Sequence, residues 1–600
     1  MNYGFRLHFA DETVFVEQGA LSFSSEGIKK IYAAKVKNCD VVWTHEDFGA
    51  FTKINFSIKS DSSLNLSRID SLVFNIGTPG KTDKLASFTN ASVRSQIRFP
   101  WELGVNREYF GDCFAHFADF ESKGTAIAFL SPFTNPIGAG AKALADGTVE
   151  FFAKTEYTEA QSKEFELETE TLLLFSNATI KDVFSVYRSL LPQSTFDMPK
   201  LVGWNTWDYY LARVTPEDIE ENVNALKNMS FADKLDYIVI DDGWQKQWGD
   251  WRENEKFSCG LKHVADIIRS AGFIPGIWMA PLYVDKDCSL LTEHADWFCR
   301  DTEGNMVEEW GRFCLDPTVP DARKFILDNY RYQYDAGFRL FKIDYLSKLI
   351  SVKKFYDPTK TAYPILRELM ADIKKIGDDV IILGCSLPVQ CGADIAPSMR
   401  IGVDIHNHFT HVHWIAESLA WTWMYNNKVT RIDPDFLVVR GEETADEELI
   451  WEGNGRNSFL PPIANKMTDG ELFQSRWRHG DQFTAIEAET WANLVAVCGG
   501  NIFLSDKMSV LNEKGIKIIE NAFKIEGNFG YPRFLKEDTR NASVWENEKG
   551  ILVVNWENIP RTMTVDCDFE VASSIKEFAY KDGKLTVTLL PHESFFGFKK

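Results

Sequence analysis

The stretch Tyr237-Ile238-Val239-Ile240-Asp241-Asp242-Gly243-Trp244 joins four consecutive apolar residues to two carboxylates and a tryptophan. An apolar run without polar alternation predicts a strand that is buried on both faces, as strands of parallel sheets are. About eight such runs alternate with amphipathic helical stretches between residues 198 and 525. Eight strand–helix units favour an α/β fold, the (β/α)8 TIM barrel, and a doubly wound open sheet is the alternative that the strand count leaves open.

Two β-rich regions flank this predicted barrel. Residues 1–192 contain short runs of alternating apolar and polar residues between Gly, Asn, Asp and Ser, which is typical of a large antiparallel β-domain. The same alternation returns in residues 526–600 and predicts a small β-sandwich. A single hydrophobic core stops growing at about 250–300 residues, so a chain of 600 residues needs several. We therefore predict three domains, 1–192, 193–525 and 526–600, with the longest barrel insertion at about 441–482.

The composition restricts the classes of function. The chain has 65 basic and 87 acidic residues, and the net charge of −22 disfavours nucleic acid and anionic membranes as partners, because both attract basic patches. It contains no apolar run of the roughly 18 residues that a membrane span requires, and its first residues lack a signal-peptide pattern. Ten cysteines without a CxxC pair predict reduced thiols. These features predict a cytoplasmic protein that acts on a neutral ligand.

Carboxylates follow several predicted strands at the point where each strand ends. Asp344 follows the run 340–343, and Asp404 follows the run 399–403. In a barrel the carboxyl ends of the strands carry the catalytic groups. Two carboxylates on different strands suit a glycosidase, in which one attacks the anomeric carbon and the other protonates the leaving oxygen. An aspartate after a strand is also a common cap or turn residue, but its recurrence at several strand ends favours a site.

Lys342 and Arg400 precede these two aspartates on their strands. Because side chains two residues apart point to the same face, Lys342 should lie beside Asp344. A cation there would keep Asp344 ionised, as a nucleophile requires, and a purely structural ion pair is the alternative. Arg400 could orient a sugar hydroxyl or a carboxylate. Cys385 follows another predicted strand and is interpreted as a pocket wall, because no His or Asn arrangement indicates a thiol nucleophile.

Aromatic residues and histidines near the strand ends are further candidates. Sugar rings present an apolar face against which indole rings pack, and the chain has 18 tryptophans. The tract 406–413 contains four of the 11 histidines. Such tracts can bind metal, but pocket or structural roles are favoured here, since a retaining glycosidase needs neither metal nor cofactor. The candidate sugar platforms are Trp204, Trp207, Trp244 and Trp278, with core packing as the alternative for each.

Eight short motifs follow one another over about 300 residues. They are Gly203-Trp204-Asn205-Thr206-Trp207, Asp241-Asp242-Gly243-Trp244, Gly276-Ile277-Trp278-Met279-Ala280-Pro281, Phe341-Lys342-Ile343-Asp344-Tyr345, Leu383-Gly384-Cys385, Met399-Arg400-Ile401-Gly402-Val403-Asp404, Asp433-Pro434-Asp435 and Leu504-Ser505-Asp506. In this order they resemble the α-galactosidases of glycoside hydrolase family 36 and, more distantly, those of family 27 of the same clan. The Lys-Ile-Asp and Arg-Ile-Gly-x-Asp motifs are the most specific.

The resemblance implies an N-terminal β-supersandwich, a catalytic (β/α)8 barrel and a C-terminal β-sandwich. It implies a retaining enzyme that removes terminal α-linked galactose, with Asp344 as nucleophile and Asp404 as acid/base. It assigns the 4- and 6-hydroxyls of galactose to Asp241 and Asp242. Family members occur as monomers and as larger assemblies, which leaves a homo-oligomer open. The other residues that the resemblance places in the pocket are Lys342, Cys385, Arg400, Trp204 and Trp278.

The chain departs from the family pattern around this pocket. Ser386-Leu387-Pro388-Val389-Gln390 stands where many members have a Gly-rich run, and Val403 stands where proline is common. The His-rich tract replaces a segment that is often rich in proline and aromatic residues. These departures leave N-acetylgalactosamine open as the cleaved sugar. A transglycosidase similar to raffinose or stachyose synthases is a second alternative, and a non-catalytic carbohydrate-binding protein is a third, which the intact aspartate pair disfavours.

Overall fold

Nine parallel strands form one sheet in the centre of the chain, in the order β7-β6-β5-β4-β3-β2-β1-β9-β8. Their bounds are β1 Val202–Asn205, β2 Tyr237–Ile240, β3 Ile274–Met279, β4 Leu340–Ile343, β5 Ile381–Gly384, β6 Ser398–Arg400, β7 Arg431–Asp433, β8 Phe436–Leu437 and β9 Ile502–Leu504. Only Pro434 and Asp435 separate β7 from β8, so one short segment supplies both ends of the sheet. The sheet therefore curls into a barrel-like domain, which favours the barrel over the open doubly wound sheet.

The helices between these strands begin and end at residues with recognisable signals. Thr215 Oγ1 accepts the N–H of Asp218 at 3.2 Å, and the carboxylate of Asp218 accepts the N–H of Thr215 at 2.9 Å, which forms a capping box before α1. Helix α3 ends at Gly337, whose φ of +117° few other residues adopt. The helix bounds are α1 Pro216–Leu226, α2 Leu261–Ser270, α3 Pro320–Ala336, α4 Ala362–Lys374, α5 Phe409–Thr422, α6 Ala485–Val497 and α7 Glu513–Ile525, with short helices Trp207–Tyr210, Leu290–Glu293, Lys348–Ser351 and Val389–Gly392.

The N-terminal part consists of two antiparallel sheets followed by a helix, Ile180–Leu190, that the sequence pattern did not predict. Thr179 caps this helix by accepting the N–H of Asp182. The smaller sheet contains Tyr3–Phe9, Thr13–Glu17, Leu66–Asn75, Tyr109–Gly111, Ile137–Ala143 and Val149–Glu156. The larger sheet contains Ser22–Glu26, Lys29–Val36, Cys39–Asp47, Thr52–Ser60, Lys84–Thr89, Arg94–Arg98, Phe114–Ala118, Gly124–Phe129, Phe165–Glu168 and Leu172–Ala178.

The C-terminal part consists of two smaller antiparallel sheets that enclose a hydrophobic cluster of their own, with Phe595 and Leu585 fully buried. Such an arrangement is a β-sandwich, as the alternating pattern predicted. One sheet contains Val544–Asn547, Gly550–Val554, Val571–Ser573 and Ser594–Lys599, and the other contains Arg561–Asp566, Ala579–Lys581 and Lys584–Leu589.

This computed structural model describes residues 3–61, 66–89, 94–111, 114–118, 122–130, 134–157, 165–195, 197–446, 481–528, 530–538, 540–574 and 576–600. Most of the insertion predicted at about 441–482 lies outside these residues. Within them, no helix is both long enough and apolar enough to cross a membrane. Two small sheets extend the loops after β2 and β3: one pairs Gln245–Gln247 with Asp250–Glu253, and the other joins Tyr283–Asp285, Glu308–Glu309 and Arg312–Cys314.

Candidate active site

The predicted catalytic carboxylates lie at one edge of the curled sheet. Asp344 directly follows β4, Asp241 directly follows β2, and Asp404 lies four residues after β6. All strands of the sheet are parallel, so their carboxyl ends share this edge. The charge of Asp404 contributes to raising the pKa of Asp344, so the two carboxylates are close enough to interact electrostatically.

Both oxygens of Asp344 accept hydrogen bonds from groups on the neighbouring strands and loops. Oδ2 accepts the indole N–H of Trp278 at 3.1 Å. Oδ1 accepts the backbone N–H of Tyr345 at 2.7 Å and lies 3.5 Å from the hydroxyl of Ser386. Desolvation raises the pKa of Asp344 above its usual value, although Lys342 and these donors oppose the rise. The carboxylate is therefore oriented before any ligand arrives, as a nucleophile should be.

Lys342 makes its ion pair with a different carboxylate from the one that its strand position predicts. Its Nζ lies 2.7 Å from Asp241 Oδ2, and both side chains are buried. The same oxygen accepts the side-chain amide of Asn205 at 2.8 Å. The strand fixes the face of the sheet to which the Lys342 side chain points. Which carboxylate lies nearest to that side chain depends on the neighbouring strands. Lys342 acts on Asp344 only through its charge, which lowers the pKa of that carboxyl.

Arg400 connects Asp404 to a second carboxylate. One guanidinium nitrogen lies 2.9 Å from Asp404 Oδ1, and another lies 2.7 Å from Asp435 Oδ1. Burial lowers the pKa of Arg400, but Asp435 and Asp404 raise it more, so the cation is retained. The Asp404 side chain is 51% exposed, whereas that of Arg400 is 5% exposed. Asp404 thus has access to water, and Asp344 lies in the more enclosed position.

Asp242 is the second aspartate after β2 and is 8% exposed. Burial raises its pKa to about 6, although a hydrogen bond from Gln245 and the charge of Arg312 oppose the rise. Arg312 is a residue that the sequence reasoning missed. Its guanidinium lies 3.4 Å from the centre of the Trp248 ring and binds Asp285 at 3.0 Å. No local signal marks it, because it reaches the site from a hairpin more than 30 residues before Asp344.

Three of the four proposed tryptophan platforms are buried. Trp204 has no exposed surface and donates its indole N–H to Asp506 O at 2.8 Å, and Trp244 is equally buried and donates to Trp278 O at 3.1 Å. Because Trp204 and Trp244 have no exposed surface, neither ring offers a face to a sugar. Trp278 is 2% exposed and binds Asp344. Trp207 is half-buried.

Cys385 directly follows β5, at the same edge of the sheet as Asp344. Its backbone N–H donates to Ile343 O at 2.7 Å, and the residue is 3% exposed. Burial and the charge of Asp344 raise the pKa of its thiol, although Lys342 and Arg400 oppose the rise. A thiol with a raised pKa is a poor nucleophile, which agrees with a wall position.

The histidines after Asp404 form hydrogen bonds within the protein. His406 Nδ1 lies 2.8 Å from Asp208 Oδ1, and His411 Nδ1 lies 3.0 Å from the backbone oxygen of Asp404. His413 contacts the side chain of Asn541 at 2.6 Å. In the part of the chain that the structure describes, no three His, Cys, Asp or Glu side chains are grouped as a metal site would require. The tract fixes the segment that carries Asp404.

Comparison with known proteins gives this geometry a context. Residues 174–367 match the family model described as Melibiase. The α-galactosidase of Escherichia coli is 26% identical over 137 residues, which are 22% of this chain and 19% of that protein. The family 36 α-galactosidase AgaA of Geobacillus stearothermophilus has a similar structure, with a TM-score of 0.61 at 13% identity over 99% of this chain and 89% of that one. The complex of the Thermus thermophilus α-galactosidase TtGalA with stachyose has a TM-score of 0.53 at 18% identity, over 86% and 98% of the two chains.

The curated relatives that segments of this chain match are α-galactosidases, a class of glycoside hydrolases that act on O-glycosyl bonds. The resemblance stated from the motifs is therefore confirmed as a resemblance, and the chain has a fold similar to that of the family 36 α-galactosidases. The aligned segments span only 19–22% of the length of the first curated relatives. The similar structures are less than 25% identical in sequence and show only that the fold is similar. Activity and substrate are therefore proposals.

Proposed function

We propose that this chain is a retaining exo-glycosidase that removes terminal α-linked galactose from oligosaccharides or galactosides by double displacement. The observation that carries the proposal is the unequal placement of two carboxylates at one edge of the barrel. Asp344 is oriented by hydrogen bonds to both oxygens, and Asp404 is half exposed beside Arg400. A nucleophile needs the first environment, and a group that exchanges protons with water needs the second.

In the first step Asp344 attacks the anomeric carbon and the bond to the leaving oxygen breaks. Asp404 gives its proton to that oxygen, and a β-linked galactosyl ester of Asp344 forms. In the second step Asp404 takes a proton from water, whose oxygen attacks the same carbon and releases Asp344 as carboxylate. Two inversions leave the product in the α configuration. The N–H groups of Trp278 and Tyr345 hold Asp344 in place throughout.

The remaining polar groups suit the recognition of galactose hydroxyls. By the family resemblance, Asp241 and Asp242 accept the 4- and 6-hydroxyls. Lys342 forms an ion pair with Asp241, and the charge of Arg312, which is itself paired with Asp285, lowers the pKa of Asp242 without offsetting the effect of burial. Arg400, Cys385 and Trp278 complete the pocket wall, and Trp204 supports it from the core.

We also propose the finer fold assignment, a (β/α)8 barrel between an N-terminal β-supersandwich and a C-terminal β-sandwich, divided as 1–192, 193–525 and 526–600. A cytoplasmic location is supported by the nine cysteines that the structure describes, all of which are free thiols.

A panel of aryl α-glycosides tests the proposal. We expect turnover of the α-galactoside, with α-galactose as the first product seen by NMR, and loss of turnover by roughly a thousandfold or more in Asp344→Ala. Turnover of only the N-acetylgalactosaminide would change the sugar and keep the mechanism. Transfer to an added sugar acceptor in preference to water would identify a transglycosidase. Binding without any turnover would support a non-catalytic protein and refute the proposal.

A further inference from the structure

Trp310 lies at the tip of the hairpin that joins Glu308–Glu309 to Arg312–Cys314, and it is 53% exposed. Trp310 and Gly311 form the two-residue loop, with φ values of +53° and +76°. Two positive φ values define a type I′ turn, which normally carries Asn-Gly. A bulky residue at positive φ is uncommon and disfavoured. The chain therefore holds a large aromatic side chain at the surface in a backbone conformation that opposes it, which points to a role for the ring outside the folded core.

A series of aromatic rings connects this tryptophan to the proposed nucleophile. Trp278 donates to Asp344, and its ring centre lies 5.3 Å from that of Trp248. Trp248 lies 4.8 Å from Tyr345, and Tyr345 lies 6.1 Å from Trp310. The exposed ring is thus continuous with the site and lies at the solvent end of the series.

The hairpin is fixed in this position by polar contacts on both strands. Arg312 lies against the Trp248 ring at 3.4 Å and binds Asp285 at 3.0 Å. On the opposite strand, the hydroxyl of Tyr283 donates to Glu309 at 2.5 Å, and Lys348 lies 3.6 Å from the same carboxylate. The ring of Trp310 is therefore presented on a rigid support, and charged groups able to bind hydroxyls lie next to it.

We propose that Trp310 is the platform for the leaving-group side of the substrate and stacks against the sugar ring that follows the cleaved bond. The inference rests on the proposed glycosidase function and adds the class of leaving group, a neutral pyranose within an oligosaccharide. The buried groups around Asp344 and Asp241 suit the galactosyl unit. Trp310 has the exposed aromatic face that the next ring requires, since the apolar face of a pyranose packs against indole.

The test compares two substrates that differ in the leaving group. α-Galactosyl fluoride has no ring to stack, whereas raffinose carries a disaccharide. We expect Trp310→Ala to lower kcat/KM for raffinose by about 10- to 100-fold, to leave α-galactosyl fluoride within about twofold, and Trp310→Phe to recover part of the loss. Trp101→Ala, which removes a 68% exposed tryptophan of the N-terminal part, should change neither rate. An unchanged raffinose rate in Trp310→Ala, or equal losses on both substrates, would overturn the proposal.

Two further measurements distinguish failure of the Trp310 proposal from failure of the proposed glycosidase function. Light scattering of wild type and Trp310→Ala reports the assembly state, and dissociation with equal losses on both substrates would assign the ring to a subunit contact instead. Calorimetric titration with raffinose tests the platform without turnover. If wild type hydrolyses no α-galactoside but binds raffinose more tightly than Trp310→Ala does, the proposed function fails and the platform stands. If wild type neither hydrolyses nor binds, both fail.

Discussion

Lys342 Nζ lies 2.7 Å from Asp241 Oδ2, and the two side chains are only 5% and 3% exposed. The pair joins β4 to the loop after β2 across the intervening strand β3. Burial lowers the pKa of Lys342, but Asp241 and the other acidic groups nearby together raise it more, so the lysine remains charged. Asn205 donates to the same carboxylate oxygen at 2.8 Å. A charge at the proposed galactose pocket is thus compensated before the sugar binds.

Lys342→Met should destabilise the protein by about 3–5 kcal/mol, because it leaves Asp241 as an unpaired buried charge. The free energy of unfolding in urea measures the effect. The double variant Lys342→Met, Asp241→Asn is the matched control and should recover most of the loss, since it removes both charges. A single variant that costs less than about 1 kcal/mol would contradict a desolvated ion pair.

Asp242 should make stability depend on pH. Its pKa is about 6 in the folded protein, against about 3.9 for an aspartate in an unfolded chain. Between these values the folded protein binds more protons, so this contribution is complete below about pH 4 and is lost as the pH rises through about 6. Two pKa units correspond to about 3 kcal/mol.

Asp242→Asn lacks this titration and provides the comparison. From pH 4 to pH 7 the stability of wild type should fall relative to that of the variant by up to about 3 kcal/mol, as measured by urea unfolding at each pH. Because other carboxyls titrate in both proteins, only the difference between the two curves is informative. Parallel curves would show that Asp242 keeps an ordinary pKa.

Cys385 should resist alkylation in the native protein. Iodoacetamide reacts with the thiolate, and burial raises the pKa of the Cys385 thiol and hides it from solvent. Cys259 is the exposed one among the nine described cysteines and should react faster by at least about a hundredfold. Peptide mapping by mass spectrometry gives the site, and Cys259→Ser should remove the rapid phase. Native labelling of Cys385 with loss of turnover would contradict its assignment as a buried wall residue.

The local sequence pattern was sufficient to predict those features that depend only on residues close together along the chain. The apolar run before Asp344 predicted a buried strand that ends at that residue, and β4 ends at Ile343. The capping box of Thr215 and Asp218 before α1 is likewise a local feature, because it needs only residues three apart. Alternation predicted a β-sandwich at the C-terminus for the same reason.

The local pattern was insufficient to predict contacts that depend on which strands lie side by side. Lys342 and Asp344 share a strand, yet the ion pair of Lys342 crosses to Asp241. Arg312 and Trp310 reach the site from a hairpin whose sequence carries no signal for the site. Trp204 was proposed as a platform because it lies near a strand end, but its ring turns into the core and donates to Asp506. Burial of an individual side chain is a property of the packed fold and not of its local sequence.

The roles of Asp344 and Asp404 predict azide products of opposite anomeric configuration when azide is added to variants that lack one of the two carboxylates. In Asp404→Ala an activated aryl α-galactoside can still form the ester on Asp344, because a good leaving group needs little protonation. Azide then attacks the β-linked ester with inversion and gives α-galactosyl azide. In Asp344→Ala no ester forms, so azide attacks the α-galactoside itself and gives the β-azide.

The two variants are each other's control, since both remove one carboxylate from the same edge of the barrel. Without azide, Asp404→Ala should lose roughly 10²- to 10⁴-fold on raffinose and less on the aryl substrate, which reports a proton donor. NMR of the azide products gives the anomeric configuration directly. If the two configurations were exchanged between the variants, the roles would be reversed, and if both variants gave the same product, the two residues would not form a nucleophile and acid/base pair. The exposed side chain of Asp404 and the hydrogen-bonded carboxylate of Asp344 favour α-galactosyl azide from Asp404→Ala and the β-azide from Asp344→Ala.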